Sequence, residues 1–140
     1  MNEVQTFTHN IVATGLTTGV AVVDRVEFVF RAPLAAQGGG VSIVGAWMVG
    51  GSACTGDDGY RCRLLKYSSA ATPVLNGTIS DYMGGTTDGW VATVPKVATI
   101  GTAWVPAGEW VALDIDRITS GTIAPPFSLT VQYKMGRSST

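Results

Sequence analysis

Charged side chains are scarce in this sequence of 140 residues: only 14% are Asp, Glu, Lys or Arg. Average domains carry roughly 25%, so the surface must be built largely from neutral Thr, Ser, Gly and Asn. Lys and Arg number 9 against 10 Asp and Glu, giving a formal net charge of -1. Phosphate binding needs a basic surplus, which excludes nucleic acid as the main partner. One His and two Cys leave little for a metal centre or for nucleophilic catalysis, and no cofactor is expected. No apolar run reaches the ~20 residues of a membrane helix, so no membrane partner is expected either. The opening Met1-Asn2-Glu3-Val4 has no basic region and no apolar segment, unlike a signal peptide. Helical spacing of apolar residues is also missing. What is present is 46% hydrophobic content. That is enough to exclude ordinary disorder and to form one domain over residues 1–140.

Period-2 alternation dominates instead. Phe127 to Met135 alternates apolar and polar without a break, so one face meets a core and the other meets water. Val111 to Arg117 repeats the pattern: Val111, Leu113 and Ile115 face in, and Asp114 and Asp116 face out. In Val20 to Arg31, the residues Val20, Val22, Val26, Phe28 and Phe30 share one face, and Arg25, Glu27 and Arg31 the other. Asp24 interrupts it, as a bulge or strand end would. Val41 to Val49 is apolar on both faces, which suits a central strand or one whose outer face meets another subunit. Thr6 to Val12, Tyr60 to Tyr67 and Trp90 to Thr99 are further strand candidates. Pro95 cannot donate to a ladder, so its strand is an edge or is interrupted.

Asp57-Asp58-Gly59, Asn76-Gly77 and Asp88-Gly89 read as turns. Gln37-Gly38-Gly39-Gly40 and Gly84-Gly85 read as flexible connections, and Ala124-Pro125-Pro126 as a stiff lead into the last strand. About eight short strands with frequent turns predict an all-β, antiparallel β-sandwich of jelly-roll type. Polar arms at residues 1–5 and 137–140 lie outside its core pattern.

The candidates for chemistry are few. His9 has no acid or nucleophile near it in sequence, and no Gly-x-Ser-x-Gly elbow exists to seat a serine. Asp114 and Asp116, two apart on one strand face, could serve glycoside chemistry or hold calcium. A solvated strand face with Arg117 as neighbour explains them more simply. Asp57 and Asp58 could also offer oxygens to calcium, yet a tight turn accounts for them. No metal and no catalytic residue is therefore assigned, and an enzyme is not expected. Cys54 and Cys62 flank the turn at Asp57 to Gly59 and could bond if the strands pair around it. A reducing compartment would keep them as two buried thiols. Trp47, Trp90, Trp104 and Trp110 could stack on sugars, or could serve as core and subunit-interface residues. The Gly-rich segments lack the Lys and helix of a phosphate loop.

Order and texture in the second half carry a resemblance. Trp90-Val91-Ala92-Thr93-Val94-Pro95-Lys96 leads to Val105-Pro106-Ala107-Gly108-Glu109-Trp110-Val111-Ala112-Leu113. Ile118-Thr119-Ser120-Gly121-Thr122-Ile123-Ala124-Pro125-Pro126 then leads into Ser128-Leu129-Thr130-Val131-Gln132-Tyr133. Over roughly residues 20 to 135 this resembles the small β-sandwich virion proteins of tailed bacteriophages, the capsid decoration (cement) and head-fibre or tail-fibre domains. The resemblance implies a structural protein, made in the host cytoplasm and carried on the virion. It would bind the major capsid protein on the outer capsid surface, often as a homotrimer. A carbohydrate- or receptor-binding module at a fibre tip is the alternative. Expected contacts to shell or subunit are the arm residues Met1, Asn2, Glu3, Val4 and Gln5 and the apolar outer face Val44, Ala46 and Met48.

Overall fold

A computed structural model describes residues 4–11, 25–50, 60–83, 94–117 and 127–136. Nine strands follow in chain order: β1 (Val4–Ile11), β2 (Arg25–Arg31), β3 (Val41–Gly50), β4 (Tyr60–Tyr67), β5 (Leu75–Thr78), β6 (Lys96–Val97), β7 (Trp104–Val105), β8 (Trp110–Arg117) and β9 (Phe127–Met135). A single 3-10 turn, Ala35–Gln37, precedes β3. The strands form two antiparallel sheets. One has the order β1-β9-β3-β6, with β7 also pairing β3; the other has the order β2-β8-β4-β5. The chain passes from sheet to sheet at every connection except β4–β5 and β6–β7. The two sheets face each other and make an all-β sandwich.

The core is where the two inner faces meet. Ile43, Ala46, Met48, Leu129 and Val131 come from the first sheet, and Val29, Cys62, Leu64, Val111, Leu113 and Ile115 from the second. Val105, Ile79, Met83 and Ala98 close the sides. Phe30 stacks on Tyr133 across the gap, with ring centroids 5.3 Å apart. Each large side chain removed from water contributes about 1.5–3 kcal/mol. The alternation of β8 and β9 therefore sets their orientation as expected.

Two bulges change the phase of alternation, and each corrects an expectation. In β3 the pairing with β9 shifts between Ile43 and Gly45. Val41 and Ile43 point inward before the shift, and Ala46 and Met48 point inward after it, all four buried. Ala46 and Met48 are thus core residues, not an outer patch; only Val44, the extra residue, is exposed, at 41%. This also explains why the segment is apolar at both parities. In β2 the pairing with β8 shifts between Phe28 and Phe30. Val26 and Phe28 consequently point outward, 38% and 44% exposed, while Val29 and Phe30 join the core.

Other expectations also shift. Val4 and Gln5 are not a loose arm but the first residues of β1, paired with Lys134 and Tyr133. Thr130 points away from the core yet is only 9% exposed. Because β9 is internal, Thr8 on β1 lies beside it, with the hydroxyls 3.4 Å apart, and Trp47 is its partner on β3. Asn76-Gly77 is not a turn but part of β5. Gly77, at φ 141°, sits where the β4–β5 pairing shifts opposite Lys66. The Gln37–Gly40 stretch is a compact turn: Gly39 N–H donates to Leu34 O at 3.0 Å. At Gly40 a Cβ would collide with the Val105 carbonyl and the Trp104 ring. Of the predicted 90–99 strand, residues 90–93 lie outside the described residues, and within 94–99 the strand is Lys96–Val97, just after Pro95, which has no donor to give. Val20, Val22, Asp24, the turns at 57–59, 84–85 and 88–89, Pro125, Pro126, and residues 1–3 and 137–140 lie outside the described residues.

The phase change in β3 is testable. Val44→Asp should leave stability within about 0.5 kcal/mol, as a surface change does. Ala46→Asp should abolish folding, because it buries an unpaired charge. Urea unfolding followed by circular dichroism separates the two; equal tolerance would mean that the bulge is misplaced.

Candidate functional site

The outward face of the second sheet carries ring contacts and ion pairs side by side. Strand pairing organises it in rows. Tyr67 and Arg31 flank Trp110; Leu65 and Phe28 flank Ala112; Arg63 and Val26 flank Asp114; and Arg61 lies opposite Asp116. Residues two apart on a strand share a face, so β8 alone supplies Trp110, Ala112, Asp114 and Asp116. The face runs from aromatic at one end to ionic at the other.

At the aromatic end, Phe28 meets Tyr67 and Trp110 edge-on, at 5.2 and 5.5 Å between centroids. Edge-to-face pairs of this kind contribute about 0.5–1.5 kcal/mol beyond burial. The Arg31 guanidinium lies 5.7 Å from the Trp110 ring centroid and donates from Nε to Gly108 O at 2.8 Å. Ala112 and Leu65 form a buried floor beneath these rings. The corner is therefore a small second cluster, outside the sandwich core, whose top is left open by Phe28 and Val26.

At the ionic end, Arg61 Nε donates to Asp116 at 2.8 Å and Arg63 Nε to Asp114 at 3.0 Å. Both guanidiniums lie over the ring of Tyr82, at 3.9 and 4.5 Å from its centroid. The hydrogen bond to Asp116 holds the Arg61 guanidinium above its ordinary pKa. Burial pushes the Tyr82 phenol up, and the positive charge of Arg63 opposes that push. These pairs are partly exposed, so each is worth at most about 1 kcal/mol; their main effect is to fix side-chain positions.

The carboxylates Asp114 and Asp116 are thus held by Arg63 and Arg61 on the neighbouring strand. No group of three His, Cys, Asp or Glu able to hold a metal occurs among the described residues. His9 lies on β1 opposite Leu129. Cys62 is fully buried in the core, and Cys54 lies outside the described residues, as do Asp57 and Asp58. Of the tryptophans, Trp47 on β3 and Trp104 on β7 belong to the first sheet and Trp110 on β8 to the second, and Trp90 lies outside the described residues. The aromatic group that does assemble is Phe28, Tyr67 and Trp110. Its signal was in the sequence as the apolar Val26 and Phe28, but a bulge had to be known to turn them outward.

One buried carboxylate stands apart. Glu109 is 9% exposed, and its Oε1 accepts from Asn76 Nδ2 at 2.5 Å. Its Oε2 has no hydrogen-bond partner among the described residues. Comparison of the chain with family models, curated proteins and solved structures gives no match.

The Tyr82 environment has a pH consequence. Its folded-state pKa lies above the ordinary 10.0, so the folded state holds the phenolic proton longer than the unfolded chain. That contribution to stability is fully present below pH 10 and is lost as pH rises through the raised value. Ultraviolet titration should show a tyrosinate step above the ordinary range that Tyr82→Phe removes. Arg63→Ala should move that step higher still, because the opposing cation is gone; a downward move would contradict the geometry.

Proposed function

We propose that this chain is a non-enzymatic structural virion protein that binds the outer surface of a phage capsid, through its major capsid protein, and stabilises it. The observation that carries the proposal is the outward face of the second sheet. It presents a rigid apolar corner, Val26 and Phe28 over Leu65 and Ala112, bordered by the fixed Arg61–Asp116 and Arg63–Asp114 pairs. A protein-binding surface needs such features: an aromatic anchor, a polar rim and little side-chain freedom left to lose. The strand order adds support. A chain that alternates between sheets, with β9 inserted between β1 and β3 and β8 between β2 and β4, is what a jelly roll would require. The sequence resemblance to small virion sandwiches points to the same class. Val44, exposed on the other sheet, remains a candidate contact, whereas Ala46 and Met48 are withdrawn. Many copies on a shell would sum weak contacts through multivalency.

A second reading is favoured by the same corner. Phe28, Tyr67 and Trp110 beside an Arg–carboxylate pair combine ring faces with hydrogen-bonding groups, the usual chemistry of sugar recognition. That arrangement would suit a receptor-binding module of a phage fibre.

Quantitative co-sedimentation with undecorated capsids distinguishes them. Val26→Glu and Phe28→Ala should each keep the circular dichroism spectrum and weaken capsid binding at least tenfold, about 1.4 kcal/mol. Unchanged binding would remove this face from the contact. No binding by the unaltered protein, together with glycan-array binding lost in Phe28→Ala, would favour the fibre module.

A further inference from the structure

Among the described residues the two sheets end in four edges, and three of them are guarded. Unpaired edge strands invite pairing with another chain, and proteins block them with charges, prolines, bulges or brevity. On the second sheet, β5 has only four residues and a bulge at Asn76, beside Gly77. Its opposite edge, β2, carries Arg25, Glu27 and Arg31 and the Val29 bulge. On the first sheet, the β6 and β7 edge consists of two-residue strands adjoining Pro95 and Pro106. The remaining edge is β1, Val4-Gln5-Thr6-Phe7-Thr8-His9-Asn10-Ile11, eight residues long. It holds no Lys, Arg, Asp, Glu, Pro or Gly. Its register against β9 runs unbroken from Val4↔Lys134 to Ile11↔Phe127. Among the described residues, β9 is its sole neighbour.

We infer that β1 is a self-association edge, on which a second copy of this chain adds its own β1 antiparallel to make one continuous sheet. The occupant follows from charge. A neutral strand offers nothing to a charged partner strand, but it pairs with itself without placing like charges opposite one another. Net charge on the chain is only -1, so two copies repel weakly. Geometry agrees. A twofold axis normal to the sheet keeps residues of one parity on the same side. The exposed Val4, Thr6 and Thr8 of both copies then lie in one layer, where β-branched cross-strand neighbours are favourable. Such an axis pairs residues of like parity, so about seven residues of each β1 oppose one another and form roughly six to eight backbone hydrogen bonds. The product is an isologous dimer. The homotrimer suggested by the sequence resemblance would instead need two different complementary surfaces on each copy.

This inference goes beyond the capsid reading and does not depend on it. Sedimentation velocity of the full chain, without capsids, over a concentration series tests it. The protein should reach twice the monomer mass. A Thr6→Lys/Thr8→Lys double variant, altered at two exposed positions near the axis, should keep its circular dichroism spectrum and self-associate at least tenfold more weakly, because like charges now meet across the axis. In the unaltered protein, hydrogen exchange at β1 amides should slow as concentration rises, a readout independent of how the variant folds. A monomer at every concentration, a trimer, a dimer indifferent to the lysines, or β1 exchange indifferent to concentration would each overturn the inference. Because no capsid is present, failure here leaves the shell proposal standing, and failed co-sedimentation leaves this one standing.

Discussion

Everything in this sandwich depends on the phase of side-chain alternation at the shared core. A strand has only two faces, so one inserted residue exchanges what it buries for what it shows. β3 uses an insertion at Val44 to keep apolar residues inward along its whole length. In β2 the insertion at Val29 sends Phe30 inward and leaves Val26 and Phe28 outside. The same device thus completes the core in one sheet and builds a second apolar cluster on the outside of the other. Core and surface are two results of one register.

Much of the fold was legible because regular alternation survives in the internal strands. β8 and β9 lie between two neighbours each, and their inward residues, such as Leu113 and Val131, are fully buried. The bounds of β4 and β9 could be read directly from Tyr60 to Tyr67 and Phe127 to Met135. Bulges were not legible, since an insertion is defined by the partner strand and not by the residues around it. Short edge strands were hidden for a related reason. Trp104–Val105 owes its pairing to β3 and to the space left by Gly40, and Leu75–Thr78 contains an Asn-Gly pair that alone signals a turn.

The outward face was half legible. Asp114 and Asp116 were correctly turned away from the core, but their guanidinium partners come from β4, some fifty residues earlier (sequence separations of 51 and 55). Tyr82 follows β5 and had no signal at all; it is drawn in by two arginines whose charges the ring can share. The aromatic corner follows a similar rule. Phe28 leaves the core, and Tyr67 and Trp110 give it a place to rest. The apolar content of this chain therefore serves two clusters on opposite sides of one sheet, which is how so few charges can cover it.

The pairing of β1 with β9 sets the order in which this molecule can come into being. Val4 meets Lys134, and Val41 meets Met135. β9 is therefore the central staple of the first sheet, and β8 plays that part in the second. Neither sheet can close until the ribosome has delivered the last strands. A chain emerging from synthesis must wait with its β1 and β3 segments unmated, and contacts this distant along the sequence form slowly. Closure of the sandwich consequently waits for its last two strands. During that interval the neutral first strand is the segment most in need of shelter from its neighbours.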